Sequence, residues 1–242
     1  MAFFWYNVPG GKNYAIYEKQ ETDLNKFRDK TIELILKNKI IAIMRNVEIN
    51  KVVKTAEALY NGGIRLIEVT FNQSSVTGIE DATASIKMIA ENFGDNICAG
   101  AGTVITLEQL SAASESGAQY IISPNACSEV IRKTVEYGMV SIPGAMTPTE
   151  IIGAYNDGAN FVKVFPAGNF GVNYIKAISS PINFIPLIAV GGINEKNCTD
   201  FLNAGAVGVG VGGDLVSLKL IKENKFDEIT ILAKKYTEQI QV

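Results

Sequence analysis

Residues 61–67 read NGGIRLI, and the same junction returns as ESGAQYI (115–121), EYGMVSI (136–142), NDGANFV (156–162) and NAGAVGV (203–209). In each, the polar end of a helix-spaced stretch runs through glycine into an apolar, mostly β-branched run. Glycine just past a helix adopts the left-handed conformation that caps it at no steric cost. A repeating helix–Gly–strand unit predicts serial βα units. Strand-like runs recur at IIAIMR (40–45), RLIEVTF (65–71), NICAGA (96–101), QYIIS (119–123), MVSIP (139–143), NFVKVF (160–165), FIPLIAV (184–190) and AVGVGV (206–211). Between them lie stretches of helical spacing, such as KVVKTAEALYN (51–61) and EVIRKTVEY (129–137). Strands apolar on both faces, alternating with helices eight times, predict an α/β fold closed as a (β/α)8 TIM barrel over residues 39–242. An open, doubly wound sheet is the alternative. The loop RNVEINK (45–51) after the first strand lacks GxGxxG, which weighs against its dinucleotide-binding form.

Residues 24–38, LNKFRDKTIELILKN, precede the first strand. Leu24, Phe27, Thr31, Leu34 and Ile35 fall near one face of a helix, which is expected to close the bottom of the barrel. Upstream, Phe3, Phe4, Trp5, Tyr6, Tyr14 and Tyr17 crowd a short stretch. This aromatic arm is expected to pack on the barrel's own surface or to contact a second subunit. Residues 1–38 are read as arm and capping helix, and 1–242 as one domain, with no internal linker or low-complexity segment.

The 242 residues carry 22 Lys+Arg against 25 Asp+Glu, a net charge of −3. No basic block stands out, so no nucleic-acid partner is expected. No apolar run reaches the roughly 18 residues of a membrane helix. The opening MAFFWYNVPGGKNY lacks the basic-then-apolar order of a secretory leader. Cys98, Cys127 and Cys198 are far apart, with no CxxC, and read as reduced thiols of a cytoplasmic protein. Histidine is absent. That removes Ser-His and Cys-His nucleophile pairs and most zinc ligand sets, and no compact acidic motif marks a magnesium site. Neither metal nor cofactor is expected. Acid–base work falls to Asp, Glu, Lys, Tyr, Cys or water.

Active sites of βα barrels lie at the carboxyl ends of the strands. Polar and special residues at those ends are Arg45, Glu68, Thr70, Thr103, Pro124, Lys163 and Phe165, with Val190 leading into Gly191-Gly192 and a second pair at Gly212-Gly213. Alternation puts Lys163 with Phe161 on one face of its strand and Val162 with Val164 on the other. The valines suit the helix-facing side, so Lys163 points inward. The same argument puts Glu68 inside with Leu66 and Thr70. One reading of the pair is a buried ion pair filling an interior layer, although apolar packing stabilises better. The other is covalent catalysis. A desolvated lysine has a lowered pKa, its free amine attacks a carbonyl to form a Schiff base, and the carboxylate shuttles protons. Arg45 offers a planar fork for a substrate carboxylate. The glycine pairs follow the seventh and eighth strands, where such barrels bind phosphate through backbone N–H groups.

IMRN (43–46), GGIRLIEVTF (62–71), GAGTV (100–104), ISPN (122–125), IPGAMTPTE (142–150), VKVFPA (162–167), VGGIN (190–194) and GVGGDL (210–215) come in this order. With that spacing, residues 30–240 resemble the class I 2-keto-3-deoxy-6-phosphogluconate (KDPG) aldolases, which include 4-hydroxy-2-oxoglutarate (KHG) aldolases. The resemblance implies a metal-free (β/α)8 barrel, usually a homotrimer, that cleaves a small keto-acid to pyruvate and an aldehyde such as glyceraldehyde 3-phosphate. It implies Lys163 as the Schiff-base lysine and Glu68 as the acid–base residue. It also implies Arg45 and Thr103 near the pyruvate carboxylate, Pro124 and Phe165 lining the pocket, and both glycine pairs at the phosphate. Three positions depart from many members: Asn72 for Arg, Val190 for Thr and Gly213 for Ser. Asn72 and Val190 look closer to the 6-phosphogalactonate branch, the alternative substrate reading. A phosphate-binding barrel isomerase or synthase, with Lys163 only electrostatic, is a further alternative. A non-catalytic binder of sugar-acid phosphates is the last.

Overall fold

The computed structural model describes residues 3–8, 12–17 and 23–240. Phe3–Val8 (β1) and Lys12–Tyr17 (β2) form an antiparallel hairpin pairing Phe3 with Tyr17 and Val8 with Lys12. The expected seat of the aromatic arm's side chains lies outside the described residues.

Helix α1 (Asp23–Asn38) leads into β3 (Ile40–Met44), and strands and helices then alternate. The order is α2 (Val52–Asn61), β4 (Leu66–Thr70), α3 (Gly78–Phe93), β5 (Cys98–Gly102), α4 (Leu107–Glu115), β6 (Tyr120–Ile122) and α5 (Ser128–Glu136). Next come β7 (Val140–Ile142), β8 (Gly144–Ala145), α6 (Pro148–Asn156), β9 (Val162–Val164), α7 (Ala167–Phe170), α8 (Val172–Ser179), β10 (Leu187–Val190), α9 (Cys198–Asn203), β11 (Gly208–Val211), α10 (Leu218–Lys222) and α11 (Phe226–Ile240). The parallel sheet runs β7-β6-β5-β4-β3-β11-β10-β9-β8. Its two end segments, β7 and β8, are halves of one strand broken at Pro143, which has no N–H to give to a ladder. Lys163 N–H donates to Pro143 O at 2.8 Å and Phe161 N–H to Ser141 O at 3.3 Å, so the sheet closes on itself. Eight strands thus form the barrel, as expected.

The five junction glycines read from the sequence, Gly63, Gly117, Gly138, Gly158 and Gly205, all have positive φ, between 75° and 115°. The repeat is therefore a backbone requirement and not a coincidence of composition.

Alternation along the strands separates two apolar layers. Ile40, Ala42, Ile67, Val69, Val162, Val164, Leu187 and Ala189 pack outward against the helices. Ile41, Ile43, Leu66, Tyr120, Ile142, Phe161 and Ile188 fill the barrel. Ile35 of α1 joins that inner cluster, and Ile32, Leu34 and Leu36 pack against it, so α1 does close the bottom. The expected face is corrected at its start. Leu24 and Phe27 are 54% and 43% exposed, because only the second half of α1 reaches the barrel floor. Phe184, expected within the seventh strand, is exposed ahead of it. Pro186 delays the ladder until Leu187. Among the described residues no helix is long and apolar enough to cross a membrane, and no cluster of His, Cys, Asp and Glu could hold a metal.

Candidate active site

Glu68 sits on β4 and Lys163 on β9. The sheet order places these strands four steps apart whichever way the barrel is traversed. Their inward side chains therefore face each other across the axis. Both are almost fully buried, at 2% and 6% exposure. They form no direct ion pair: among the described residues, none of the nitrogen–oxygen pairs within 4.0 Å involves either side chain. A buried ion pair filling a layer is thus not what the barrel contains. Both line one cavity.

Each charge is costly where it stands. Burial lowers the pKa of the Lys163 ammonium, Glu68 pulls it back up, and Arg45 lowers it again. The Glu68 carboxyl is raised, chiefly by burial, against the opposing pull of Lys163 and Arg45. Desolvation penalises both charged forms and leaves more free amine and more protonated acid near neutrality. The Lys163 Nζ lies 4.7 Å from the centroid of the Phe165 ring. The Glu68 Oε2 atom has no hydrogen-bond partner. An orphaned carboxylate oxygen in a barrel core is expensive as structure and suits a group that works on a ligand.

The neighbours make room for the carboxyl. A Cβ on Gly102 would lie 1.7 Å from Glu68 Oε1, so only glycine fits at the inward end of β5. Gly100, one inward position lower, would strike the Tyr120 ring at 2.2 Å. The run GAG (100–102) is a cleft cut for two neighbours.

A cavity of about 360 Å³ opens above the pair. It is lined by Arg45, Glu68, Thr103, Pro124, Lys163, Phe165, Val190, Gly191, Gly192, Gly212 and Gly213, so eleven sequence-chosen residues meet in one site. Thr70 does not line it. Its hydroxyl turns to the Met44 carbonyl at 3.4 Å, because Thr70 lies beside the end of β3. Ile43, Ile193, Gly210 and Asp214 also line the cavity without having been chosen. Alternation from Arg45 back along β3 points to Ile43, and alternation on β11 points to Gly210, whose Cβ would meet Val190 at 2.9 Å. Nothing local marks Asp214.

The two glycine pairs differ. Gly191 and Gly192 have φ of 89° and 73°, a conformation glycine adopts freely. Gly168 N–H donates to Gly191 O at 2.7 Å and Asn197 Nδ2 to Gly192 O at 2.9 Å. In a trans peptide the N–H points away from its carbonyl, so the N–H groups of Gly192 and Ile193 face the other way. Gly212 and Gly213 have no positive φ, and a Cβ on either would meet nothing within 4 Å.

A buried amine and a buried carboxyl share one cavity with a cation at its rim, an arrangement chemically able to attack a carbonyl compound and move its protons. The profile described as KDPG and KHG aldolase matches residues 32–232. The chain is 34% identical to a 2-dehydro-3-deoxy-6-phosphogalactonate aldolase of Escherichia coli, over 84% of this chain and 96% of that protein. It is 32% identical to the KHG/KDPG aldolase of the same organism, over 82% and 91%. A solved KDPG aldolase from Legionella pneumophila, with pyruvate captured as a covalent carbinolamine, superposes with a TM-score of 0.75 at 29% identity, covering 84% of this chain and 96% of that one. By sequence, by fold and by the chemistry of its barrel mouth, this chain belongs to the KDPG and KHG aldolase family.

Proposed function

We propose that the protein cleaves 2-keto-3-deoxy-6-phosphogluconate, 4-hydroxy-2-oxoglutarate or both through a Schiff base on Lys163. The observation that carries this reading is the desolvated amine facing a partnerless carboxyl across one small cavity. The Lys163 amine adds to the C2 ketone and water leaves, giving an iminium. The C3–C4 bond breaks with its electron pair drawn into the iminium. The C4 hydroxyl proton passes to Glu68, and the aldehyde departs. Glu68 returns the proton to C3 of the enamine, and water releases pyruvate. Arg45 and Thr103 hold the carboxylate, and Pro124 and Phe165 wall the pocket.

The outward N–H groups of Gly192 and Ile193, with the Gly212-Gly213 turn, suit an anionic far end of the substrate. Gly213 lacks a side chain to join them, and the space for one is open. Gly213→Ser is expected to lower KM for a phosphorylated substrate about tenfold through one charge-assisted hydrogen bond, with kcat little changed. Steady-state kinetics on phosphorylated and unphosphorylated keto-acids check this.

Val190 favours a second substrate reading. Its apolar side chain lines the cavity where a hydroxyl would select the C4 configuration, so the 6-phosphogalactonate analogue is also accepted. The deciding assay follows pyruvate release from the gluconate analogue, the galactonate analogue and 4-hydroxy-2-oxoglutarate. Release from none of the three would overturn the proposal. A homotrimer is the proposed assembly, and light scattering giving any other multiple of the chain mass would reject it.

A further inference from the structure

Among the described residues, Thr103 is the one cavity-lining residue other than glycine with a left-handed backbone, at φ 60°. For a β-branched residue that conformation is a real outlier. Such residues persist where their surroundings over-determine them, and they cluster at functional sites. The surroundings here are a chain of two side-chain amides. Ile105 N–H donates to Gln109 Oε1 at 2.8 Å. Gln109 Nε2 donates to Gln73 Oε1 at 2.8 Å. Gln73 Nε2 donates to the Thr103 carbonyl at 2.8 Å.

The polarity of this chain is forced. A backbone N–H at one end requires an oxygen of Gln109, and a backbone carbonyl at the other requires the nitrogen of Gln73. Hydrogen bonds in series polarise one another in the same sense. The remaining polar atoms of the segment are bound as well. Val104 N–H donates to Ile122 O at 3.2 Å, and Ser123 Oγ donates to Val104 O at 2.6 Å. Both peptide units flanking Val104 are thus fixed at all four polar atoms. The Thr103 hydroxyl itself takes no protein partner among the described residues. Gln109 is buried, whereas Gln73 is exposed in the loop after β4.

We infer that Gln73 and Gln109 are positioning residues, a two-amide relay that locks Thr103 so that it meets the carboxylate of the bound keto-acid. The inference rests on the Schiff-base reading above. The relay touches no reacting atom. It joins the loop after β4, which carries Gln73 just beyond Glu68, to the loop after β5, so carboxylate binding and the acid–base residue share one frame.

Two variants break the relay in different ways. Gln73→Ala removes an exposed side chain and leaves the core alone. Gln109→Glu keeps shape and still accepts from Ile105 N–H, but it cannot donate onward. Gln73 must then turn, which sets its own oxygen against the Thr103 carbonyl. The experiment titrates pyruvate, traps the imine with borohydride and weighs the intact protein. Each variant is expected to need about three to ten times more pyruvate for half-maximal adduct, with the final yield retained. In cleavage assays KM rises and kcat changes less. The double variant is expected to be no worse than the poorer single one, because both cut the same chain. Half-maximal pyruvate equal to wild type in both variants, or two effects that multiply in the double variant, would overturn the relay. A wild-type protein that traps no pyruvate would instead overturn the Schiff-base reading, and this inference with it.

Discussion

Lys163→Ala is expected to abolish the borohydride-trapped pyruvate adduct and to cut keto-acid cleavage on the order of 10⁴-fold or more, as loss of a covalent nucleophile does. The reason is chemical and local. Among the described residues lining the cavity, this is the amine that burial makes able to attack, its pKa lowered by desolvation against the opposing pull of Glu68. An arginine in its place keeps the charge but never deprotonates at working pH, so Lys163→Arg is expected to be equally silent. The sign of the pH dependence follows. The amine is reactive only when unprotonated, and a lowered pKa moves the acid limb of adduct formation below that of an ordinary lysine. Adduct formation falls as pH drops through that limb. Mass spectrometry after reduction reads the result directly, and an adduct surviving in Lys163→Ala would place the nucleophile elsewhere.

Glu68→Gln separates the two halves of the reaction. Turnover is expected to fall about 10²- to 10⁴-fold, the usual contribution of a positioned acid–base group. Imine formation with pyruvate is expected to survive. The Glu68 charge raises the Lys163 pKa, so its removal lowers that pKa further and shifts the acid limb of trapping to lower pH. Glutamine also fits the space that Gly102 leaves for the carboxyl, so packing is conserved. Cleavage kinetics and trapping yield, measured on one preparation, distinguish proton transfer from imine formation. Equal loss of both would show that Glu68 serves mainly to hold Lys163 in place.

Much of this is legible in the sequence. The five junction glycines reported helix ends because a positive φ is a property of single residues, and all five have it. Alternation assigned Lys163 and Glu68 to the interior because a strand has a strict period of two. The same rule also put Thr70 inward. It could not know that the Thr70 hydroxyl turns to Met44 across the neighbouring strand. Leu24 and Phe27 fell on the right face of α1 but beyond the reach of the barrel floor, because periodicity gives direction and not distance.

The sequence by itself determined what depends on neighbours along the chain. It determined the repeat, the inward and outward faces of each strand, the absence of histidine chemistry, and the family resemblance. The tertiary structure decided what depends on closure. Only a barrel of eight strands sets β4 opposite β9 and aims Glu68 at Lys163 without letting them pair. Only the pairing of β4 with β5 reveals that Gly102 is the space the carboxyl occupies. Only the packing of the loop after β4 against the first turn of α4 joins Gln73 to Gln109, 36 residues later. These are distances between residues remote in sequence. No local rule carries them, because the same strands in an open sheet would keep every alternation and bring none of these atoms together.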